Sequence, residues 1–272
     1  MEMEMKMEDK YAVINNYRIR YLEEGSGPNL ILVHGLGGSS SSWINNISNL
    51  AQDNHVYALD MLGFGRSDKP KIDYTIELFV DMLNGFMDAL AIDKASMIGS
   101  SLGGQIVAEY ALNHPERVDR LILVAPAGFT PKTFKGTSTL RNYTRIFNAK
   151  SKDGLKHLLE RVHGTSIDDE YLEWMYEYIR MDNAKHAFLS ALRNSAKAER
   201  LSRRLRKSLE SASIRAMIIW GKEDKIIPVK YAEQFIDMPN CRLILLENCG
   251  HRPHVEASSL FNEYVRLFLK HD

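Results

Sequence analysis

Short apolar runs that alternate with amphipathic segments are the feature that most restricts how this chain can fold. The runs include LILVHG at residues 30–35, RLILVAP at 120–126 and RAMIIWG at 215–221. Between them, segments such as IELFVDMLNGFMDAL at residues 76–90 place apolar side chains at the period of a helix. Strands that are covered on both faces are uniformly apolar, so the alternation predicts an α/β domain with a mostly parallel, doubly wound sheet.

The alternation is interrupted in the second half of the chain. Residues 137–211 contain no strand-like run and are helical in pattern, charged and aromatic. We therefore predict a core formed by residues 11–130 and 213–272, with an all-helical cap inserted at 131–212. The N-terminal MEMEMKMEDK lacks the basic start and apolar centre of a secretory signal, and we expect residues 1–10 to form a flexible arm.

Composition argues against several classes of partner. The 35 basic residues equal the 35 acidic ones, so no summed field would attract nucleic acid or an anionic membrane. No apolar run approaches the ~18–20 residues of a membrane span. Cys241 and Cys249 bracket the run RLILL, and a strand there would hold them too far apart for a disulfide. We expect a reduced, cytoplasmic protein, a monomer or homodimer, that acts on a small molecule.

The segment GSSLG at residues 99–103 fits the pattern G-x-S-x-G, with Ser101 at its centre. It lies between an apolar run and a helical pattern, where flanking glycines permit a tight turn and the helix N-terminus favours developing negative charge. Moving the frame to Ser100 loses both glycines. Taken alone, the segment is equally typical of a plain turn rich in glycine and serine.

A serine nucleophile needs a base, usually histidine, oriented by a carboxylate. His251 directly follows the last apolar run, where a loop would overhang the carboxyl end of the sheet. Asp224 follows the preceding run and is the best-placed carboxylate. We expect its neighbour Glu223 to face solvent, and Asp60, which precedes the serine, to brace the GFGRSD loop.

An oxyanion would be bound by backbone amides, one from the residue after the nucleophile and one from an early loop after a strand. Leu102 supplies the first. The HGLGG loop at residues 34–38 supplies the second, with the Leu36 amide as donor, and its glycines, Gly35 included, allow the backbone to approach a substrate. His34 is expected to shape this loop through hydrogen bonds.

The sequence resembles an α/β-hydrolase with a helical cap. The resemblance is carried, in order, by LVHGLGGSSSSW, DMLGFGRSDKP, GSSLGG, WGKEDKIIP and CGHRPHVE, and it covers nearly the whole chain after residue 10. It implies Ser101 as nucleophile, His251 as base, Asp224 as its orienting partner, and Leu36 and Leu102 as oxyanion donors. No cofactor and no metal are implied, and Pro253 argues against a helical metal pair of His251 and His254.

The nucleophile separates the branches of this family. A serine at the elbow implies acyl transfer rather than the aspartate chemistry of haloalkane dehalogenases and epoxide hydrolases. The chain also resembles hydrolases that split carbon–carbon bonds in vinylogous 1,5-diketones from aromatic ring fission. It departs from them in carrying Arg252, rather than tryptophan, after the histidine, and Tyr176 near their cap arginine, for which Arg180 could substitute.

From the sequence we therefore favour a carboxylesterase for small to medium acyl esters, with the carbon–carbon hydrolase as the alternative. A ligand-binding receptor with a vestigial triad is a third possibility. Trp174 and Tyr178, at helical spacing in the predicted cap, are candidate substrate-binding residues, although the same spacing is typical of a helix core.

Overall fold

The described part of this computed structural model comprises residues 7–129, 144–163, 166–195, 201–212 and 214–270. Most of the predicted arm, residues 1–6, and several stretches of the predicted cap, including 131–143, lie outside the described residues. In the described parts of the chain, every helix is too short or too polar to cross a bilayer.

The described strands form one eight-stranded sheet in the order β1-β2-β4-β3-β5-β6-β7-β8. The hairpin β1–β2 is antiparallel, β2 pairs antiparallel with β4, and all the other pairs are parallel. The strands are β1 (Lys10–Ile14), β2 (Tyr17–Gly25), β3 (Asn29–Val33), β4 (His55–Leu59), β5 (Ala95–Ser100), β6 (Val118–Val124), β7 (Arg215–Gly221) and β8 (Cys241–Leu246). The predicted mostly parallel sheet is thus confirmed.

Helices cover both faces of this sheet. In β3, Ile31 and Val33 point into the cluster that includes Phe86 of α2, whereas Leu30 and Leu32 point into a second cluster with α1 and α9. Alternate residues of a buried strand therefore enter different cores, which explains why the strand is apolar throughout. These helices are α1 (Ile44–Leu50), α2 (Ile76–Ala89), α3 (Leu102–Asn113), α8 (Pro253–Glu256) and α9 (Ser258–Lys270).

The described residues between β6 and β7 include four further helices, which we call the inserted helices. They are α4 (Lys152–His163), α5 (Asp169–Tyr178), α6 (Ala184–Ser195) and α7 (Leu201–Ala212). Side-chain hydrogen bonds tie α6 to the loop after β4. Ser190 Oγ and Asn194 Nδ2 both donate to Asp73 Oδ1, at 2.6 and 2.9 Å, and the Tyr74 amide donates to Ser190 Oγ.

The sequence YAVINNYRIRYL at residues 11–22 predicts a hairpin with Asn15-Asn16 at its turn, and the observed hairpin begins earlier than this segment. Its turn is at Asn15 and Asn16, as predicted, with φ of 49° and 67°. However, β1 already includes Lys10, and Asp9 accepts a hydrogen bond of 2.9 Å from Arg20 Nε. Asp9 and Lys10 therefore belong to the folded hairpin rather than to a flexible arm.

A second difference concerns the segment VKYAEQFIDM at residues 229–238, which the alternation of runs and helices predicts to be an α-helix. The chain forms a 3₁₀ helix at Val229–Phe235 instead. Its buried residues Ala232 and Phe235 are three positions apart, which fits the 3.0-residue turn of a 3₁₀ helix. The cysteines Cys241 and Cys249 are both free thiols.

Candidate active site

Ser101 occupies a strained turn between β5 and α3. Its φ of 53° and ψ of −114° are rare for a residue with a side chain and persist only where the surroundings enforce them. The enforcement comes from its own backbone, because Ser101 N–H donates to the Val124 carbonyl at 2.8 Å and its carbonyl accepts from the Ala127 amide at 2.9 Å. Ser100, by contrast, is the last residue of β5 and is 3% exposed.

The glycines that flank Ser101 are required by backbone contacts. A Cβ on Gly99 would lie 2.3 Å from the Gly103 carbonyl oxygen, and a Cβ on Gly103 would lie 2.3 Å from the Val33 carbonyl oxygen. Backbone atoms cannot move aside as a flexible side chain can. The start of α3 therefore packs directly against the ends of β5 and β3, which holds Ser101 at the carboxyl edge of the sheet.

Asp224 and His251 meet at the same edge of the sheet. Asp224 follows β7, His251 follows β8, and the imidazole Nδ1 donates to Asp224 Oδ2 at 2.7 Å. The other carboxylate oxygen accepts from the amides of Ile226 and Ile227 at 2.8 and 2.9 Å. Because Nδ1 carries the proton in this bond, Nε2 is left as the basic nitrogen.

The structure does not join His251 to Ser101 by a hydrogen bond. Both residues are described, and the imidazole bonds to Asp224 but not to the Ser101 hydroxyl. Such contacts are often longer in a site without substrate and tighten when substrate binds. Ser101 and His251 follow β5 and β8 at one carboxyl edge, and their pairing in catalysis stays a prediction.

The two carboxylates considered beside Asp224 have bracing contacts. Glu223 is exposed, as expected, and its Oε2 also accepts from the Cys249 amide at 2.8 Å, which ties the loop after β7 to the loop after β8. Asp60 is fully buried and accepts from the amides of Ser40 and Arg66 at 2.6 and 2.7 Å. It therefore braces the GFGRSD loop and the start of the serine-rich segment together.

The HGLGG loop lies beside Ser101. A Cβ on Gly35 would lie 3.2 Å from the Ser101 Cβ, so residue 35 leaves little room for a side chain next to the hydroxyl. His34 is buried and shapes the loop as expected, because its Nδ1 donates to the Gly35 carbonyl at 2.7 Å while Nε2 accepts from the Met61 amide at 3.0 Å. Burial lowers the pKa of His34 and keeps the imidazole neutral in this role.

The role of the Leu36 and Leu102 amides as oxyanion donors stays a prediction. Leu102 is the first residue of α3, and the first amides of a helix have no partner within it. Leu36 follows Gly35 in the loop and is half-buried. The expected donors thus belong to the two segments that contact each other next to Ser101.

Trp174 and Tyr178 lie on α5 and pack against each other, with ring centroids 5.9 Å apart. Tyr178 is completely buried, and its ring stacks on Phe64 at 6.3 Å, which is in the loop after β4. This side chain therefore joins the inserted helices to the core and exposes no surface to a substrate in this structure. Trp174 is half-buried, and its indole Nε1 has no hydrogen-bond partner among the described residues.

Sequence reasoning did not anticipate the contacts of Arg252. Its guanidinium lies 4.5 Å from the ring centroid of Tyr171 on α5, and its Nη2 is 3.8 Å from Asp168 Oδ2. His163, at the end of α4, is buried nearby, and its pKa is lowered to about 3, mainly by burial and further by Arg252 and His251. The sequence signal was the arginine after the histidine, but nothing in the pattern indicated which inserted helix it would reach.

The described residues contain no group of three or more side chains that could hold a metal ion. His254, three residues from His251, is buried with its ring centroid 4.2 Å from that of Trp43. Burial lowers its pKa to about 3, so the ring packs as a neutral group.

Comparison with known proteins finds relatives that cover most of this chain. A 2-hydroxy-6-oxo-6-(2'-aminophenyl)hexa-2,4-dienoic acid hydrolase of Metapseudomonas resinovorans is 28% identical over 96% of this chain and 90% of its own length. A 2-hydroxymuconate semialdehyde hydrolase of Pseudomonas sp. strain CF600 is 30% identical over 91% of this chain and 88% of its own. The solved structure of a meta-cleavage product hydrolase from Pseudomonas fluorescens IP01 aligns with a TM-score of 0.79 at 27% identity, covering 96% of this chain and 97% of that one.

A sequence model of one protein family matches most of this chain. Residues 28–258 match the sequence model described as the alpha/beta hydrolase fold, and this range runs from the start of β3 into the last helix. Together with the eight-stranded sheet and the turn at Ser101, the match establishes that this chain belongs to the α/β-hydrolase fold family.

Proposed function

We propose that this protein is a serine hydrolase that cleaves a carbon–carbon bond beside a ketone in an acidic, conjugated diketone. The observation that carries the proposal is the similarity, over more than 90% of the chain, to hydrolases named for 2-hydroxy-6-oxo-dienoic acids and 2-hydroxymuconate semialdehyde. The strained turn at Ser101 and the Asp224–His251 hydrogen bond supply the groups that such a reaction needs. This proposal replaces the esterase preference drawn from the sequence alone.

In the first half of the reaction, the Ser101 hydroxyl attacks the ketone carbon while His251 Nε2 takes its proton. The amides of Leu36 and Leu102 donate to the oxyanion, where one good donor contributes about 3–4 kcal/mol. The bond to the neighbouring carbon then breaks. Its electron pair passes into the conjugated system of the leaving fragment, which takes the proton from His251.

In the second half, a water molecule attacks the acyl group on Ser101 and gives one proton to His251. Collapse of this intermediate releases a carboxylic acid, and the proton returns to Ser101. One water is consumed for each bond broken. Asp224 holds the imidazole in one tautomer throughout and stabilises its positive charge.

Ester hydrolysis is the second candidate. The same groups cleave esters, and the arginine that could bind the substrate's carboxylate in the carbon–carbon hydrolases has no well-placed counterpart on α5. Arg180, which could have replaced the cap arginine of the carbon–carbon hydrolases, is exposed. It stacks on Tyr176 at 3.3 Å and donates to the Tyr176 carbonyl at 2.7 Å. It is therefore held against the end of α5, two residues beyond the last residue of that helix.

The experiment compares kcat/KM for 2-hydroxy-6-oxo-6-phenylhexa-2,4-dienoate with values for p-nitrophenyl esters of two to eight carbons. We expect the dienoate to exceed the best ester by at least about tenfold, which corresponds to 1.4 kcal/mol of transition-state preference. Ser101→Ala should abolish both activities. The reverse order of substrates would establish an esterase instead, and saturable binding without turnover would indicate a receptor.

A further inference from the structure

One positive charge lies on the loop that carries the proposed base. Arg252 follows His251 in the chain, and its side chain is only 14% exposed. Its guanidinium is stacked on Tyr171 of α5, at 4.5 Å from the ring centroid. The head group of Arg252 therefore lies where the catalytic loop and the inserted helices meet.

This charge is incompletely paired. The carboxylate of Asp168 is 3.8 Å away, is itself 53% exposed, and uses its other oxygen to accept from the Tyr171 amide. The Nε of Arg252 is buried and has no hydrogen-bond acceptor within the described ranges. A buried donor without an acceptor is costly, and a buried charge is more so.

Arg20 shows how the same chain satisfies a buried arginine that has a structural role. Its side chain is 7% exposed, and its Nε donates to Asp9 at 2.9 Å. Its Nη1 contacts Ser40 and both oxygens of Asp60, so each face of the guanidinium has an acceptor. Arg252 differs in that its Nε has no acceptor among the described residues.

Two carboxylates and a histidine lie near Arg252. Asp168 Oδ2 is 3.8 Å from its Nη2, and Glu256 Oε1 accepts from the backbone amide of Arg252 at 2.9 Å. His163 is buried beside it and is neutral near pH 7, since its pKa is lowered to about 3. Trp174, one helical turn beyond Tyr171 on the same face of α5, has a second buried donor without an acceptor among the described residues. Two buried N–H donors at this junction, Arg252 Nε and Trp174 Nε1, are therefore without an acceptor among the described residues.

We propose that Arg252 is a specificity-determining residue that binds a carboxylate of the substrate, so that the site selects monoanionic over neutral substrates of the same shape. The inference deepens the proposed hydrolase function and rests on the Ser101 site, but it does not depend on whether the bond cleaved is carbon–carbon or ester. A carboxylate is planar and accepts two parallel N–H bonds from a guanidinium, and the Nε of Arg252 is one such donor that lacks an acceptor among the described residues.

The test uses two pairs of esters that differ in one charge. Mono-p-nitrophenyl adipate and p-nitrophenyl hexanoate carry or lack a carboxylate on the acyl side. Acetoxybenzoate and acetoxybenzamide, both substituted at the para position, carry or lack it on the leaving-group side. Each pair is measured with the native protein and with Arg252→Gln, Arg252→Lys and, as a control that removes an exposed arginine just after α5, Arg180→Gln.

In at least one pair we expect Arg252→Gln to lower kcat/KM for the anionic member about tenfold, through KM, while the neutral member changes less than about threefold. Arg252→Lys should restore part of the preference, because it keeps the charge but not the fork. Arg180→Gln should leave the preference intact. A proportional loss for both members would overturn the proposal and make Arg252 a structural latch for α5, as would a native protein with no anionic preference.

Failure of the proposed function would look different. If no ester and no diketone is turned over, the same four compounds are titrated calorimetrically against the native protein and Arg252→Gln. Tighter binding of the anionic members that is lost in Arg252→Gln would still support the carboxylate site. Equal binding of both members to both proteins would contradict it.

Discussion

The two sides of the candidate site are built in different ways. On the core side, backbone atoms fix the reacting groups, since Ser101 is held by main-chain hydrogen bonds and Gly103 packs against the end of β3. On the side of the inserted helices, side chains make the contacts. Arg252 reaches Tyr171 and Asp168 through a ring face and a long, half-exposed ion pair.

The difference suggests separate locations for the residues that carry out the reaction and those that select the substrate. Backbone contacts tolerate almost no substitution, so the geometry of the turn and of the Asp224–His251 pair is set by the fold itself. Side-chain contacts can be exchanged without disturbing the sheet. We infer that the reaction type resides in the core and that substrate choice resides where α4 and α5 face the catalytic loop.

The largest effect is expected from Asp224→Asn. The amide can donate to His251 Nδ1, which favours the tautomer whose proton is on Nε2 and so removes the base. We expect kcat to fall about 10³–10⁴-fold with little change in the unfolding midpoint, measured by steady-state kinetics and urea denaturation. The matched control is Glu223→Gln, which keeps an acceptor for the Cys249 amide and should change kcat by less than about threefold. Equal losses in the two variants would contradict the assignment of Asp224.

Two glycine-to-alanine substitutions compare how well the core side and the inserted helices tolerate an added methyl group. In Gly103→Ala the new methyl group meets the Val33 carbonyl at 2.3 Å, and we expect a loss of about 3–4 kcal/mol of unfolding free energy together with most of the activity. Gly154 lies at an exposed position of α4. Gly154→Ala should be neutral or stabilising by up to about 1 kcal/mol, since alanine has a higher helix propensity than glycine. Urea denaturation measures both, and similar losses would refute the contrast.

A smaller effect is expected from pH acting on His163. The unfolded imidazole takes up a proton as pH falls below about 6.5, whereas the buried one, with a pKa of about 3, does not. The unfolded state therefore binds more protons between these values, and stability falls as pH falls. At pH 5 this protonation of His163 in the unfolded state lowers the unfolding free energy by about 2 kcal/mol.

His163→Asn should remove that contribution, so its unfolding free energy should decline less steeply than that of the native protein between pH 7 and pH 5. His254 and the carboxylates remain in both proteins and cancel in the difference. Identical slopes in urea titrations at the two pH values would show that His163 titrates normally in the folded protein.

Most of the core could be predicted because its signals are local. The uniformly apolar runs reflect burial on both faces, Asn15-Asn16 marks a turn that needs positive φ at two residues, and the glycines at 99 and 103 mark a turn with no room for a side chain. Each of these three signals is contained in a few adjacent residues. The placement of Asp224 was predictable for a related reason, since parallel strands end at one edge.

What could not be predicted depends on contacts between distant segments. The pairing of Asp9 with Arg20 and the stacking of Arg252 on Tyr171 join residues from separate elements, and no periodicity encodes them. Tyr178 shows the same limit, because helical spacing does not distinguish a pocket wall from the buried ring found against Phe64. The selection of one substrate over another also depends on side chains of this kind.

The central claim is that the fold makes one hydroxyl, that of Ser101, reactive. Labelling the protein with a fluorophosphonate and locating the adduct by peptide mass spectrometry tests it directly. We predict one adduct, on Ser101, that persists in Ser100→Ala and disappears in Ser101→Ala and in His251→Ala. An adduct on Ser100, or no adduct on the native protein at all, would contradict the claim.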